Sequence, residues 1–205
     1  MFGLMTFERQ ICRLSREGAS LGVIGEQDHI VTRLTCDHVV VAVILAHLGR
    51  ALPAEGVGLL SAVKSGSDLF GERFYAGRNI ESSHMRYTMD PADVRISLIA
   101  MKRRGETVAA VVHSHPRTPP VPSKTDLVDA TMPGIVHVIV GFQPAISIRA
   151  WWLDFDQHGV AAVAREVEFR SGIANGRVVK RESFAVGLGA FEQRGDDGRG
   201  RREFA

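Results

Sequence analysis

In HSHPRTPPVPSKTD, residues 113 to 126, His113 and His115 stand one residue apart, and Ser123 and Asp126 follow three apart. The chain spends two of its 8 histidines here. In an extended strand, side chains two apart point to one face, which sets the two imidazoles side by side. At the start of a helix a spacing of three puts Ser123 and Asp126 on neighbouring positions of one surface. The intervening PRTPPVP holds four prolines, so it has little freedom and carries the helix start back over the strand end at small ordering cost. Asp126 then becomes a third ligand. Two neutral imidazoles and a carboxylate are the ligand types of catalytic zinc sites, with a fourth position left to water. A closed structural site would use four protein ligands, commonly thiolates, and the segment has none. Each residue also has a plainer use: Ser123 with Asp126 reads as a capping box, and a strand histidine as a hydrogen-bonded structural residue. The coincidence of both pairs at fixed offsets favours the metal reading.

The flanking sequence supplies the elements such a site needs. TVAAVVHSH reads as a buried strand, SKTDLVDA as a short helix and GIVHVIVGF as another buried strand. MDPADVRISLIAMKRRG reads as a helix with Asp90 as N-cap, Pro91 at its first position, basic residues in its last turn and Gly105 past its end. Upstream, HIVTRL alternates like a strand, Asp37 caps a helix through HVVVAVILAHLGRAL that stops before Pro53, and Glu55 to Val63 reads as a strand. Residues 64 to 86 are polar and glycine-rich and read as an irregular or hairpin insertion. ISIRAWWLD and VAAVAREVEF read as antiparallel neighbours joined through FDQHG. His47 and His137 read as packing residues.

Composition narrows the class. Apolar residues make up 45% and charged residues 23% of the 205-residue chain, which fits one folded domain. The net charge is only +2 and the basic residues are scattered, so nothing points to nucleic acid. Cys12 and Cys36 are the only cysteines, too few for a disulfide framework. The run VVVAVILAHL is about half of what a bilayer-spanning helix requires, and the first residues lack a signal-peptide core. A cytoplasmic protein without membrane contact is the expectation. Residues 1–29 read as a flexible leader, 30–170 as the domain and 171–205 as a mobile tail in which FAVGLGAF could dock.

H-x-H, seven residues and S-x-x-D after an apolar strand resembles the signature of the JAMM (MPN+) metalloprotease family, in HSHP and PSKTD alike. The resemblance covers about residues 30 to 169 and extends to RYTMDP and IRAWWLD. It implies an α/β fold in which a curled mixed β-sheet is flanked by helices in three layers. It also implies a catalytic glutamate after the first helix, which LPAEGVGLL supplies as Glu55; Glu72 and Glu81 are the alternatives. Val57 stands where a cysteine is common and Ala62 where a glycine is frequent, and neither is a chemical residue.

On this resemblance one Zn2+ is held by His113, His115 and Asp126, Glu55 acts as general base toward a water acidified by the metal, and Ser123 donates to the developing oxyanion. The implied reaction is hydrolysis of a peptide or isopeptide bond at the C-terminal tail of a ubiquitin-like or sulfur-carrier protein. An extended tail suits pairing with a sheet edge, with residues 61 to 79 as one groove wall. A homodimer is open at this level. Two rivals remain: an MPN-type scaffold without catalysis, and a RadC-type protein linked with DNA metabolism, which resembles HNHPSG where this chain has HSHPRT. Zinc deaminases use a cysteine pair that this chain lacks.

Overall fold

A computed structural model describes residues 30–130, 133–156 and 158–172. In chain order the elements are β1 (Arg33–Cys36), α1 (His38–Ala51), β2 (Val57–Ser65), β3 (Asp68–Gly77), α2 (Pro91–Arg104), β4 (Val108–His115), α3 (Lys124–Asp129), β5 (Val136–Gly141), β6 (Ser147–Phe155) and β7 (Ala161–Ser171). The leader and the tail beyond residue 172, FAVGLGAF included, lie outside the described residues.

The strands follow one another in the order β1-β3-β2-β4-β5-β6-β7 and close into a barrel. The mixed sheet, expected to be curled, thus curls as far as a closed barrel. It is the work of β1, four residues that pair in parallel with β3 on one side and β7 on the other. Arg33 reinforces both seams, with Nη1 2.9 Å from Asp68 Oδ2 and Nε 2.8 Å from Glu168 Oε2. A short strand shows only its apolar alternation in sequence, not that both of its edges are used. With every strand paired on two sides, a fully free sheet edge for substrate pairing is absent among the described strands.

The remainder of the sheet is antiparallel except for β4 beside β5. Its two faces hold separate cores. Val41, Ile44 and Leu48 of α1 pack with Leu34, Leu60, Val112 and Val138, and Val94, Leu98 and Met101 of α2 pack with Val57, Leu59, Val111 and Ile135. Helices thus cover both faces, as expected. The caps also fall where the sequence puts them: Asp37 accepts from Val39 N–H and Asp90 from Ala92 N–H. Gly105 takes the left-handed conformation at φ 67° past α2, where a side chain would cost energy.

Of the two readings of residues 64 to 86, the hairpin holds for the larger part. Most of the segment belongs to the β2–β3 hairpin, and only residues 78 to 90 form an irregular loop, closed by an antiparallel bridge between Asn79 and Met89. The polar character of β3 reflects its exposed face, with Glu72 and Arg73 toward solvent. β7 runs one residue beyond the expected boundary to Ser171. Among the described residues no helix is long and apolar enough to cross a membrane.

Candidate metal centre

The end of β4 builds the centre. His113 and His115 share one face of the strand, and Ser114 points to the other, where its Oγ accepts the Gly56 N–H at 2.8 Å. Ser114 N–H donates back to Gly56 O at 3.1 Å, and His113 pairs in register with Val57. This lacing fixes where Glu55 arrives. The acid lies just ahead of β2, beside the strand end that carries the two imidazoles, although 58 residues separate it from His113.

The proline-rich loop behaves as a rigid return. Pro119 O accepts from His115 Nδ1 at 2.9 Å, and Pro120 O accepts from Trp151 Nε1 at 2.9 Å. With Nδ1–H committed to Pro119, the Nε2 lone pair of His115 is turned inward. The loop then delivers α3. Ser123 is its N-cap, and the capping box is complete: Asp126 N–H donates to Ser123 Oγ at 3.1 Å and Ser123 N–H donates to Asp126 Oδ2 at 2.6 Å. The plain and the chemical readings of Asp126 therefore hold together, because the capping carboxylate also faces both histidines.

The distances suit a metal. His113 Nε2 and His115 Nε2 are 3.2 Å apart. Asp126 Oδ1 lies 3.4 Å from His113 Nε2, and Oδ2 lies 3.3 Å from His115 Nε2. A tetrahedral zinc with bonds of about 2.0–2.1 Å has ligand atoms about 3.3 Å apart. The donor set fits zinc, each imidazole nitrogen standing about that far from the other and from one of the two carboxylate oxygens. These three residues are the metal-type cluster found among the described residues, with one ligand atom from each within 4.8 Å of the others. All are buried. Burial alone would raise the Asp126 carboxyl, but the facing His113 and hydrogen bonds from His113, His115 and Ser123 hold it well below the ordinary carboxylate range. Burial pushes His113 down. For His115 burial acts the same way, but Asp126, the Pro119 carbonyl and Glu55 outweigh it and raise the imidazole.

Glu55 is 4% exposed, a level rare for a carboxylate without a charged partner. Burial pushes its pKa up to about 7; His115 pulls it down and Asp126 pushes it up, so the carboxyl senses both ligand groups. The alternatives do not share this environment. Glu72 is exposed on β3, and Glu81 accepts from the Thr88 hydroxyl at 2.9 Å. His137, read as a packing residue, is 1% exposed, and burial pushes its imidazole down to about 4. His47 bridges the Val57 and Gly77 carbonyls at 3.1 Å each.

Three contributors were not singled out from sequence. Tyr87 stacks on His113 with centroids 4.5 Å apart and planes at 27°, covering a ring whose Nδ1 is buried without a hydrogen bond. Ser114 laces β4 to Gly56, and strand alternation alone could have revealed that it faces away from the histidines. Asn79 holds the Glu55 carbonyl from 24 residues away, and no local pattern announces it. Beside Glu55 lies a cavity of about 340 Å³ lined by His47, Arg50, Gly77, Arg78 and Asn79.

Comparison with known proteins agrees with this architecture. A family model described as prokaryotic homologs of the JAB domain matches residues 37–154. The chain is 36% identical over 97 residues to a probable TtuB-protein conjugate cleaving protease of Thermus thermophilus, covering 47% of this chain and 62% of that one. It is 34% identical over 65 residues to a desampylase of Haloferax volcanii, covering 32% and 47%. Over 97 residues it is 34% identical to the CysO-cysteine peptidase of Mycobacterium tuberculosis, covering 47% and 65%. The matches thus span less than two thirds of each of these relatives. A solved structure from Desulfitobacterium hafniense shares the fold with a TM-score of 0.58 at 27% identity, over 69% of this chain and 95% of that one. The chain belongs to the prokaryotic JAB-domain family, the group that its H-x-H and S-x-x-D spacing resembles.

Proposed function

We propose that this protein is a zinc-dependent hydrolase that cuts a peptide or isopeptide bond at the C-terminal tail of a ubiquitin-like or sulfur-carrier protein. The observation that carries the reading is the convergence of the two imidazole Nε2 atoms, 3.2 Å apart, with a carboxylate whose two oxygens stand 3.3 and 3.4 Å from them, at the strand end that β2 pairing sets beside the buried Glu55. His113, His115 and Asp126 would hold the zinc. Once bound, zinc supplies Lewis acidity at the amide carbonyl and lowers the pKa of water toward neutrality.

The remaining steps belong to the chain. Glu55 takes the proton of the attacking water and passes it to the departing amine, a role served by a carboxyl tuned near the working pH. Ser123 accepts from Asp126 N–H through its oxygen, so its hydroxyl proton is left to donate to the carbonyl oxygen as charge develops, a contribution of about 3 kcal/mol in comparable sites. The substrate class is supported by the names of the relatives, a probable TtuB-protein conjugate cleaving protease, a desampylase and a CysO-cysteine peptidase.

Incubation with a panel of ubiquitin-like carriers bearing C-terminal extensions, with and without chelator, tests the proposal. Mass spectrometry should find a single cut after the carrier tail that the chelator abolishes. An intact panel in the presence of added zinc would favour a non-catalytic scaffold.

A further inference from the structure

We infer that Asn79 is a positioning residue that fixes Glu55 for proton transfer and couples it to the His113 side of the centre. The inference rests on the reading of Glu55 as base. Asn79 follows β3, and all four hydrogen-bonding capacities of its carboxamide are spent on backbone groups. Its Nδ2 donates to Glu55 O at 2.9 Å and to Arg86 O at 3.1 Å. Its Oδ1 accepts from Glu81 N–H and Thr88 N–H, each at 3.0 Å. One side chain therefore ties the two ends of the loop together and binds both to the peptide unit that follows the Glu55 side chain.

The loop grips Glu55 a second time, since Glu55 N–H donates to Ser83 O at 2.7 Å. Both main-chain polar groups of the acid thus end on the same loop. Between the Arg86 carbonyl and the Thr88 amide that Asn79 holds sits Tyr87, the ring stacked on His113. The loop is anchored on its outer side as well: Arg78 N–H and Nε donate to Asp93 Oδ2 at 2.9 Å each. A carboxyl that must meet a proton within about half an ångström gains its precision from such supports.

Asn79→Asp tests the claim, because it keeps the acceptor toward Glu81 and Thr88 and removes both donated bonds. Asn79→Ser, which is too short to reach Glu55 O but still accepts locally, serves if the first variant folds poorly. In either variant kcat should fall about 10–100-fold with KM within about threefold of the parent and zinc content unchanged. Amide hydrogen exchange reads the coupling without substrate: Glu55 N–H should exchange at least about tenfold faster, while Leu98 in α2 keeps its parental protection. Parental kcat together with parental Glu55 exchange would overturn the inference, as would a rise in KM alone. If Glu55→Gln stays fully active, the base assignment fails instead. If the parent cleaves nothing, the exchange measurement still decides whether Asn79 holds Glu55.

Discussion

Asp126 Oδ2 accepts the Ser123 N–H at 2.6 Å and stands 3.3 Å from His115 Nε2. One carboxylate caps α3 and faces both imidazoles, so the fold of the helix and the position of that carboxylate are inseparable.

The two roles separate by substitution. Asp126→Asn retains an acceptor for the cap and loses the charge, so it should keep nearly parental stability yet bind zinc at least about 100-fold more weakly. Asp126→Ala should lose both, with about 1 kcal/mol of stability gone with the cap. Isothermal titration with zinc beside chemical denaturation checks the pair. Parental zinc affinity in both variants would make Asp126 a cap alone.

Glu55→Gln keeps the shape of the side chain and removes the carboxylate proposed as base. Zinc content should stay at the parental level while kcat falls by at least about 100-fold. Glu72→Gln, on the exposed face of β3, should leave kcat unchanged. Single-turnover rates on a carrier fusion distinguish the two, and equal loss in both variants would contradict the assignment.

Much of the centre was legible because strand and helix periodicities act locally. Alternation along TVAAVVHSH placed His113 and His115 on one face, and the cap of α3 placed Asp126. The caps of α1 and α2 were legible for the same reason. Barrel closure was not, since the double pairing of Arg33–Cys36 depends on partners 35 and 135 residues away in sequence. Asn79 escaped likewise, because an asparagine between a strand and a polar loop looks like any turn residue until Glu55 arrives beside it.

A second polar cluster sets an acid limit on stability. Glu106 accepts from Ser61 Oγ and Tyr75 Oη at 2.7 Å each and from Arg73 Nε at 3.2 Å. Burial would raise this carboxyl, but the hydrogen bonds from Tyr75, Ser61 and Arg73 bring it below its ordinary value. The unfolded chain therefore binds this proton more readily than the folded one. The stabilisation is present above the ordinary glutamate pKa of about 4.3 and is lost as pH falls through the lower folded value. Denaturant midpoints between about pH 6 and pH 3 should drop less steeply in Glu106→Gln than in the parent; parallel curves would remove Glu106 from the account.

Gly58 marks a close crossing in β2. A Cβ there would lie 2.4 Å from Phe74 Cζ and 2.5 Å from Tyr75 O, and the carbonyl belongs to the strand backbone. Gly58→Ala should cost about 1–3 kcal/mol by urea denaturation. A loss below about 0.5 kcal/mol would mean that β3 yields more easily than its pairing with β2 implies.

The most direct measurement is stepwise return of zinc to chelator-stripped protein, with cleavage of a carrier fusion followed at each step. Cleavage should rise in proportion to bound metal and level off at about one zinc per chain, the number that His113, His115 and Asp126 accommodate. Full cleavage by the stripped protein, or one tightly bound zinc with no cleavage of any fusion in the panel, would contradict a metal-dependent hydrolase.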